Sequence, residues 1–418
     1  MYEITTLENG IKVVSENIPF VRSISFGIWV KVGSQNEDLN INGISHFIEH
    51  MIFKGTSKRS AKDIAEQMDE IGGQINAFTT KQMTCFYFKI LDKNFDKALE
   101  IMSDMFLNSS FSDEEMEREK QVIIEEINMY EDTPEELVFE LMQQEVFNGS
   151  SLAWPILGSI ENVKSFSHDK LRSYYEKNYV GKNIIISIAG NFETQSILKK
   201  IDNYFGAVKN KEVSDKKIKT EYKSKFITKK KDIEQVHICL GFPGIKNLIK
   251  DIYALAVFNN IFGGGMSSRL YQNIREQNGL AYSVFSYNYS YKDIGLFNIY
   301  AGINPNKVED CLKFMIHEIK DLDVNLISQK ELSKSKEQLK ASYLLNLESS
   351  SSRMNSLGKY MILYNKILTP EEIINEIDKI DLDSIYNLIK QIFDFDKISL
   401  SCVAKNNYDL EKIIEANK

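Results

Sequence analysis

The order of predicted elements runs twice along this chain, and that repetition constrains its fold more than any single motif. In the first half a strand, VRSISFGIWVKVGS (Val21–Ser34), precedes an apolar helix beginning near Gly43 and a second helix, Ala61–Ile71. Two strands within INAFTTKQMTCFYFKIL follow, then a helix, KNFDKALEIMSDMF, and a long charged helix from Ser112. In the second half the strand QVHICLGFPG (Gln235–Gly244) precedes the helix DIYALAVFNNIF and a shorter helix, Ser268–Glu276. Two strands within AYSVFSYNYSYKDIGLFNIYAGI come next, then a helix, NKVEDCLKFMIHEI, and a long helix from Ser328. Matching order with matching spacing is the signature of a duplicated α/β unit. The expected fold class is α+β: two duplicated α/β domains, each a sheet with helices packed on it, facing one another as a clamshell.

The 418 residues suit two or three domains at roughly 100–200 residues each. Residues 209–231, KNKEVSDKKIKTEYKSKFITKKK, are lysine-rich, polar and without a sustained apolar period. They read as a solvated linker between a domain at 1–208 and a second at 232–418. A hydrophobic content of 43% supports full cores, and a net charge of −8 argues against nucleic acid as the main partner. Cys85, Cys239, Cys311 and Cys402 are scattered, with no CxxC pair, and read as reduced thiols of a cytoplasmic protein. The N-terminus reads as strand, Asn9-Gly10 turn and strand, with no leader, and no apolar run of about 18 residues calls for a membrane.

The segment GISHFIEHMIF carries the chemistry. Around His46, Glu49 and His50 stand Ile44, Phe47, Ile48, Met51, Ile52 and Phe53, so the predicted helix is apolar on all sides and buried. His46 and His50, four residues apart, project from one face, with Glu49 on its flank. A carboxylate there costs several kcal/mol if unpaired, and a bound cation removes that cost. One histidine on an apolar helix is ordinarily a satisfied core residue. Two of the chain's five histidines in the order H-x-x-E-H form a named catalytic motif for zinc. Non-haem iron also uses two histidines and a carboxylate, but has no need of Glu49 beside them.

Catalytic zinc takes three protein ligands and keeps one position open. The third is sought on the helix SDEEMEREKQVIIEEINMYED. At about 100° per residue, Met116, Ile123, Ile127 and Tyr130 form a buried stripe bordered by Glu119 and Glu126. Glu125 falls with Arg118, Gln121 and Asn128 on the wet face. Periodicity alone leaves the two bordering acids as either inward groups or a solvated flank.

The stretches GISHFIEHMIFKGT, GGQINAFTTKQMTCFYF, EREKQVIIEEI, PILGSIENVKSF and GGGMSSRLYQNIREQNGLAYSV resemble the pitrilysin/insulinase family of inverted-motif zinc peptidases. Within it they are most similar to the mitochondrial-processing-peptidase-like bacterial branch. The resemblance implies one Zn2+ per chain, with the third ligand 76 residues beyond the second histidine, which is Glu126. It implies a helper acid at Glu119, which hydrogen-bonds a ligand, and Glu49 as general base. It also implies that the strand after Gly72-Gly73 is a free sheet edge on which Asn76, Ala77, Phe78 and Thr79 pair with the substrate backbone; an ordinary internal strand is the alternative.

An offset of 216 lays Glu119 on Ser335 and Glu126 on Ser342, so the second half lacks a metal site. Gly263–Gly265 is not followed by Gly-Lys-Ser/Thr and reads as a turn, not a phosphate loop. By resemblance, Arg275 and Tyr282 hold the substrate carbonyl and stabilise the developing oxyanion. The expected activity is a zinc metalloendopeptidase acting on unfolded peptides or extended polypeptide, as a homodimer. A non-catalytic binding subunit of the same shell would lack parts of the motif, which here is whole.

Overall fold

A computed structural model of the chain describes residues 2–212 and 219–418. Three strands open it: β1 (Tyr2–Thr6), β2 (Lys12–Asn17) and β3 (Ser23–Val30). Helices α1 (Ile44–Ile52) and α2 (Ala61–Glu70) lead to the hairpin β4 (Gln74–Thr79) and β5 (Thr84–Leu91). Then come α3 (Phe95–Asn108), α4 (Asp113–Asp132), α5 (Pro134–Val146), α6 (Ile160–Ser165) and α7 (His168–Asn178). Strand β6 (Ile184–Gly190) and helix α8 (Thr194–Phe205) end the first half. The second half has β7 (Phe226–Lys230), β8 (Val236–Gly244), α9 (Ile249–Phe262), and a π-helical stretch, Tyr271–Gln277. The hairpin β9 (Ala281–Ser290) and β10 (Gly295–Ile303) follows, then α10 (Val308–Val324), α11 (Gln329–Asn346) and α12 (Ser350–Tyr364). Helices α13 (Pro370–Asp378) and α14 (Leu382–Ile392), strand β11 (Ser399–Ala404) and α15 (Leu410–Glu415) complete it. None of these helices is long and apolar enough to cross a membrane.

The chain folds into two units, each with one sheet. The first takes the chain to Asn128, then from Trp154, then Leu345–Ile367; the second takes Met129–Ala153, Lys219–Leu344 and Leu368–Lys418. The first sheet has the order β1-β2-β6-β3-β5-β4. Strand β3 is central and buried, and its alternating side chains serve two layers. Phe26, Ile28 and Val30 face a core with Phe47 and Ile48 of α1, Phe106 of α3 and Ile123 of α4. Trp29 faces the other way, into a cluster with Met354, Leu357 and Met361 of α12.

The second sheet has the order β7-β11-β8-β10-β9. Phe242 of β8 and Phe297 of β10 pack with Phe258 and Phe262 of α9 and with Phe393. The opposite layer is α5, where Phe139 lies against Tyr287 and Tyr300, and where Ser401 Oγ donates to the Val138 carbonyl. The duplication extends to this contact. A Cβ on Gly27 of β3 would lie 2.6 Å from Met354 Sδ of α12, and one on Gly241 of β8 would lie 2.7 Å from Met142 Sδ of α5. Each strand thus carries a glycine where a methionine of the covering helix comes closest.

Two expectations need correction. Helix α5, from the first half, covers the second sheet, and α12, from the second half, covers the first, so a boundary at 209–231 does not separate the units. Residues 209–231 are also not a linker throughout. Residues 213–218 lie outside the described residues, but Phe226–Lys230 form β7, parallel to β11. Tyr222 OH donates to the Gly241 carbonyl at 2.9 Å, and Lys223 N donates to the Val146 carbonyl. Lysines mask the alternation here because β7 is an edge strand, where charge on the open side guards against stray pairing. The four cysteines are free, and all are buried.

Candidate metal centre

Helix α1 starts on an anchored turn. Gly43 caps it at φ +98°, where a Cβ would also meet the Leu157 carbonyl at 2.5 Å, so only glycine fits. Glu37, fully buried, accepts hydrogen bonds from Gly43 N (2.7 Å), Ser45 N (2.8 Å) and Asn42 Nδ2 (2.9 Å). Its carboxylate therefore occupies the positive end of the helix. Burial still pushes its carboxyl up, to about 7, against the pull of those donors.

The spacing of His46 and His50 sets their rings side by side, with centroids 4.6 Å apart. Nε2 of His46 and Nε2 of His50 each lie 3.6 Å from Glu126 Oε2 on α4. Among the described residues, these three form the only group of His, Cys, Asp or Glu whose ligand atoms converge, all within 4.8 Å of one another. The 3.6 Å separations are too long for hydrogen bonds. A tetrahedral ion with bonds of about 2.0–2.2 Å holds its ligand atoms roughly 3.3–3.6 Å apart, so the donor set fits zinc. Burial, helped by the neighbouring His50, pushes the His46 imidazole down to about 3, which leaves it neutral and able to coordinate near neutral pH. Burial raises the Glu126 carboxyl, and His50 partly offsets the rise.

Glu119 is 3% exposed, two helical turns before Glu126. Its Oε2 lies 3.0 Å from His50 Nδ1 and its Oε1 lies 2.7 Å from Lys54 Nζ. Burial alone would raise its carboxyl, but the hydrogen bonds from His50 and Lys54 outweigh that, and the net shift is downward. An anionic Glu119 only accepts, so His50 Nδ1 carries the proton and Nε2 keeps its lone pair toward Glu126. His46 is not braced in this way, and its buried Nδ1 has no hydrogen-bond partner among the described residues.

Glu49 is half-buried beside the ligands, and its Oε2 accepts the Thr79 hydroxyl proton. Burial pushes its carboxyl up, while Thr79 and His50 pull it back. Strand β4 is the end strand of its sheet and, among the described residues, pairs with β5 alone. Along it Asn76 is exposed and Ala77, Phe78 and Thr79 are half-buried, with the Phe78 ring against Trp29 and Tyr87. In the second unit Arg275, on the π-helical stretch, holds its guanidinium 5.3 Å from the Tyr282 ring centroid, and that tyrosine is 74% exposed.

On α4, Met116 and Ile123 are buried and Glu125 is exposed, as the periodicity predicts. Tyr130, expected on the buried stripe, is 37% exposed, because the chain leaves the first unit after Asn128. Sequence reasoning missed three groups: the Glu37 anchor, the Thr79 hydroxyl on Glu49, and Lys54 on Glu119. Lys54 carried a signal, standing four residues beyond His50. Glu37 carried none, since an acid before a glycine turn is ordinarily solvated.

Comparison with known proteins agrees with this geometry. Residues 12–159 match the model described as insulinase (peptidase family M16), and residues 165–339 match the M16 inactive domain. The chain is 44% identical over 388 residues to an uncharacterised zinc protease, YmxG, of Bacillus subtilis strain 168, covering 93% of this chain and 95% of that one. It is 38% identical over 395 residues to an uncharacterised zinc protease of Rickettsia felis, covering 94% and 95%. The solved structure of a protease from Helicobacter pylori superposes with a TM-score of 0.91 at 24% identity, over 97% of this chain and 99% of that one. A zinc-compatible donor set on α1 and α4, in a duplicated fold shared with these relatives, makes this chain a member of the M16, or insulinase, family of zinc peptidases, with zinc as its cofactor.

Proposed function

We propose that the chain is an endopeptidase that hydrolyses unfolded or extended peptides, with His46, His50 and Glu126 as zinc ligands and Glu49 as general base. Held by His46, His50 and Glu126, zinc would lower the pKa of a water and polarise a scissile carbonyl. Glu49 is placed to take a proton from the attacking water on its carboxylate and return it to the leaving amine nitrogen, so no covalent intermediate is needed. The observation that carries this reading is the Glu49 carboxylate. It sits one position before His50, half-buried, and the Thr79 hydroxyl holds it in one orientation. Glu119 holds the His50 ring through Nδ1.

The open side of β4 supports a substrate that adds as a strand along Asn76–Thr79, which demands an extended chain and gives little side-chain preference. Arg275 and Tyr282 are assigned to the substrate carbonyl by the resemblance alone, and a fall in kcat in their variants is the check. Four free thiols support a reducing, cytoplasmic setting, and the homodimer is testable by light scattering. Glu49→Gln tests the reading: zinc content stays at one per chain, and turnover of a quenched peptide falls below a few per cent. Higher residual turnover overturns the general-base assignment.

A further inference from the structure

We propose that Lys54 is a positioning residue of the metal centre: its ammonium, seated on Glu119 Oε1, fixes the carboxylate whose other oxygen holds His50 Nδ1. The proposal rests on His50 being a zinc ligand. Its first ground is geometric. Lys54 Nζ lies 2.7 Å from Oε1 and His50 Nδ1 lies 3.0 Å from Oε2, so each oxygen of a 3% exposed carboxylate has one partner. Both partners belong to α1 and its C-terminal turn, where Lys54 N donates to the Met51 carbonyl. Glu119 thus spans two groups that the helix itself holds in register.

The second ground is charge. Glu49, Glu119 and Glu126 are three acidic side chains gathered around two imidazoles. Among the described residues, Lys54 is the one lysine or arginine paired with any of the three carboxylates. Without it Glu119 is a buried carboxylate near a second carboxylate, with one hydrogen bond left. Such a group turns toward other partners. That movement frees the His50 ring, which then loses the orientation that presents Nε2.

Chelator competition for zinc on the full chain tests this. Loss of a group that orients a ligand costs about 10- to 100-fold in metal affinity, so Lys54→Met is expected to weaken zinc by about tenfold. Lys54→Arg, which keeps the charge and a donor, is expected to recover most of that loss. In a Glu119→Gln background Lys54→Met is expected to change nothing further, because its route to the metal is gone. Wild-type affinity in Lys54→Met, or an undiminished effect in the Glu119→Gln background, overturns the proposal. If Lys54→Met does not fold, Lys54→Gln is read in its place against the same outcomes. His50→Ala separates the two levels: full zinc retention there overturns the ligand assignment itself, whereas zinc loss there with normal Lys54→Met affinity overturns only the role of Lys54.

Discussion

The same helix-to-helix contact is built twice in this chain and closed with different chemistry. In the first unit α4 meets α1 through Glu119, a buried carboxylate between His50 and Lys54. In the second unit α11 meets α9 through Ser335, also buried. Its hydroxyl donates to the Val257 carbonyl at 3.0 Å and accepts from Asn260 Nδ2 at 3.0 Å. A hydroxyl with two partners satisfies its surroundings at little cost. A carboxylate in that place costs several kcal/mol unless it is paired. Packing therefore accounts for Ser335 and does not account for Glu119. Where the fold alone is served the contact is neutral, and where a metal must be held it is ionic.

Breaking the ionic side at the ligand gives the largest effect. Glu126→Ala is expected to weaken zinc by more than about 100-fold, beyond the loss typical of supporting residues, while Glu125→Ala on the exposed face leaves it unchanged. Metal analysis after dialysis reads both, and a zinc-deficient Glu125 variant would reverse the assignment of the helix face. Exchanging the two solutions gives the next largest effect. Ser335→Glu places a carboxylate where the hydroxyl's partners among the described residues are a carbonyl and an amide. It is expected to cost about 3–5 kcal/mol in urea unfolding. Glu119→Ser is expected to cost the zinc-free chain less than that while lowering its zinc affinity. Equal stabilities for Ser335→Glu and wild type would show that the second contact tolerates charge, and would remove the contrast.

The smallest effect concerns the second unit's own ion pair. Glu331 of α11 takes Arg269 on both oxygens, with Ser328 N and Oγ on Oε2. Burial pushes its carboxyl up, but Arg269 and Ser328 outweigh this and bring it down to about 2. A lowered carboxyl contributes stability above its unfolded pKa, about 4.3, and loses it as pH falls toward 2. Glu331→Gln is expected to lower the melting temperature by about 1–3 °C at pH 7, with the gap closing between pH 4 and pH 2. A gap that widens in acid would show that the pair is not what holds Glu331.

The metal centre was legible because it is local. His46, Glu49 and His50 lie within one helix and one period, and the face of a second helix narrows the third ligand to Glu119 or Glu126, of which the resemblance picks Glu126. The repeat was legible because the order of elements and the lengths between matching helices recur in both halves. What escaped was set by distance in space. Nothing in SSSRMNSLGKYMILY says that this helix covers Trp29, over 300 residues earlier, because an apolar stripe does not name its partner. The strand in FITKK was hidden by lysines whose charge suits an edge. The resemblance assigns Thr79 to the substrate strand; that its hydroxyl also meets Glu49 is revealed only where β4 packs beside α1.

The exchange of α5 and α12 governs the order in which a nascent chain can finish. The sheet that carries the metal helix is synthesised first, yet its outer layer arrives only with Ser350–Tyr364. Until then Trp29 and its neighbours have no cover, and the first half leaves the ribosome as an unfinished body with an open apolar face. Closing so long a loop is slow relative to local helix formation, although the entropy it costs grows only weakly with length. Activity therefore cannot begin partway through synthesis. A chain cut short anywhere before α12 leaves a ligand set on an unsealed sheet, exposed to aggregation instead of committed to proteolysis.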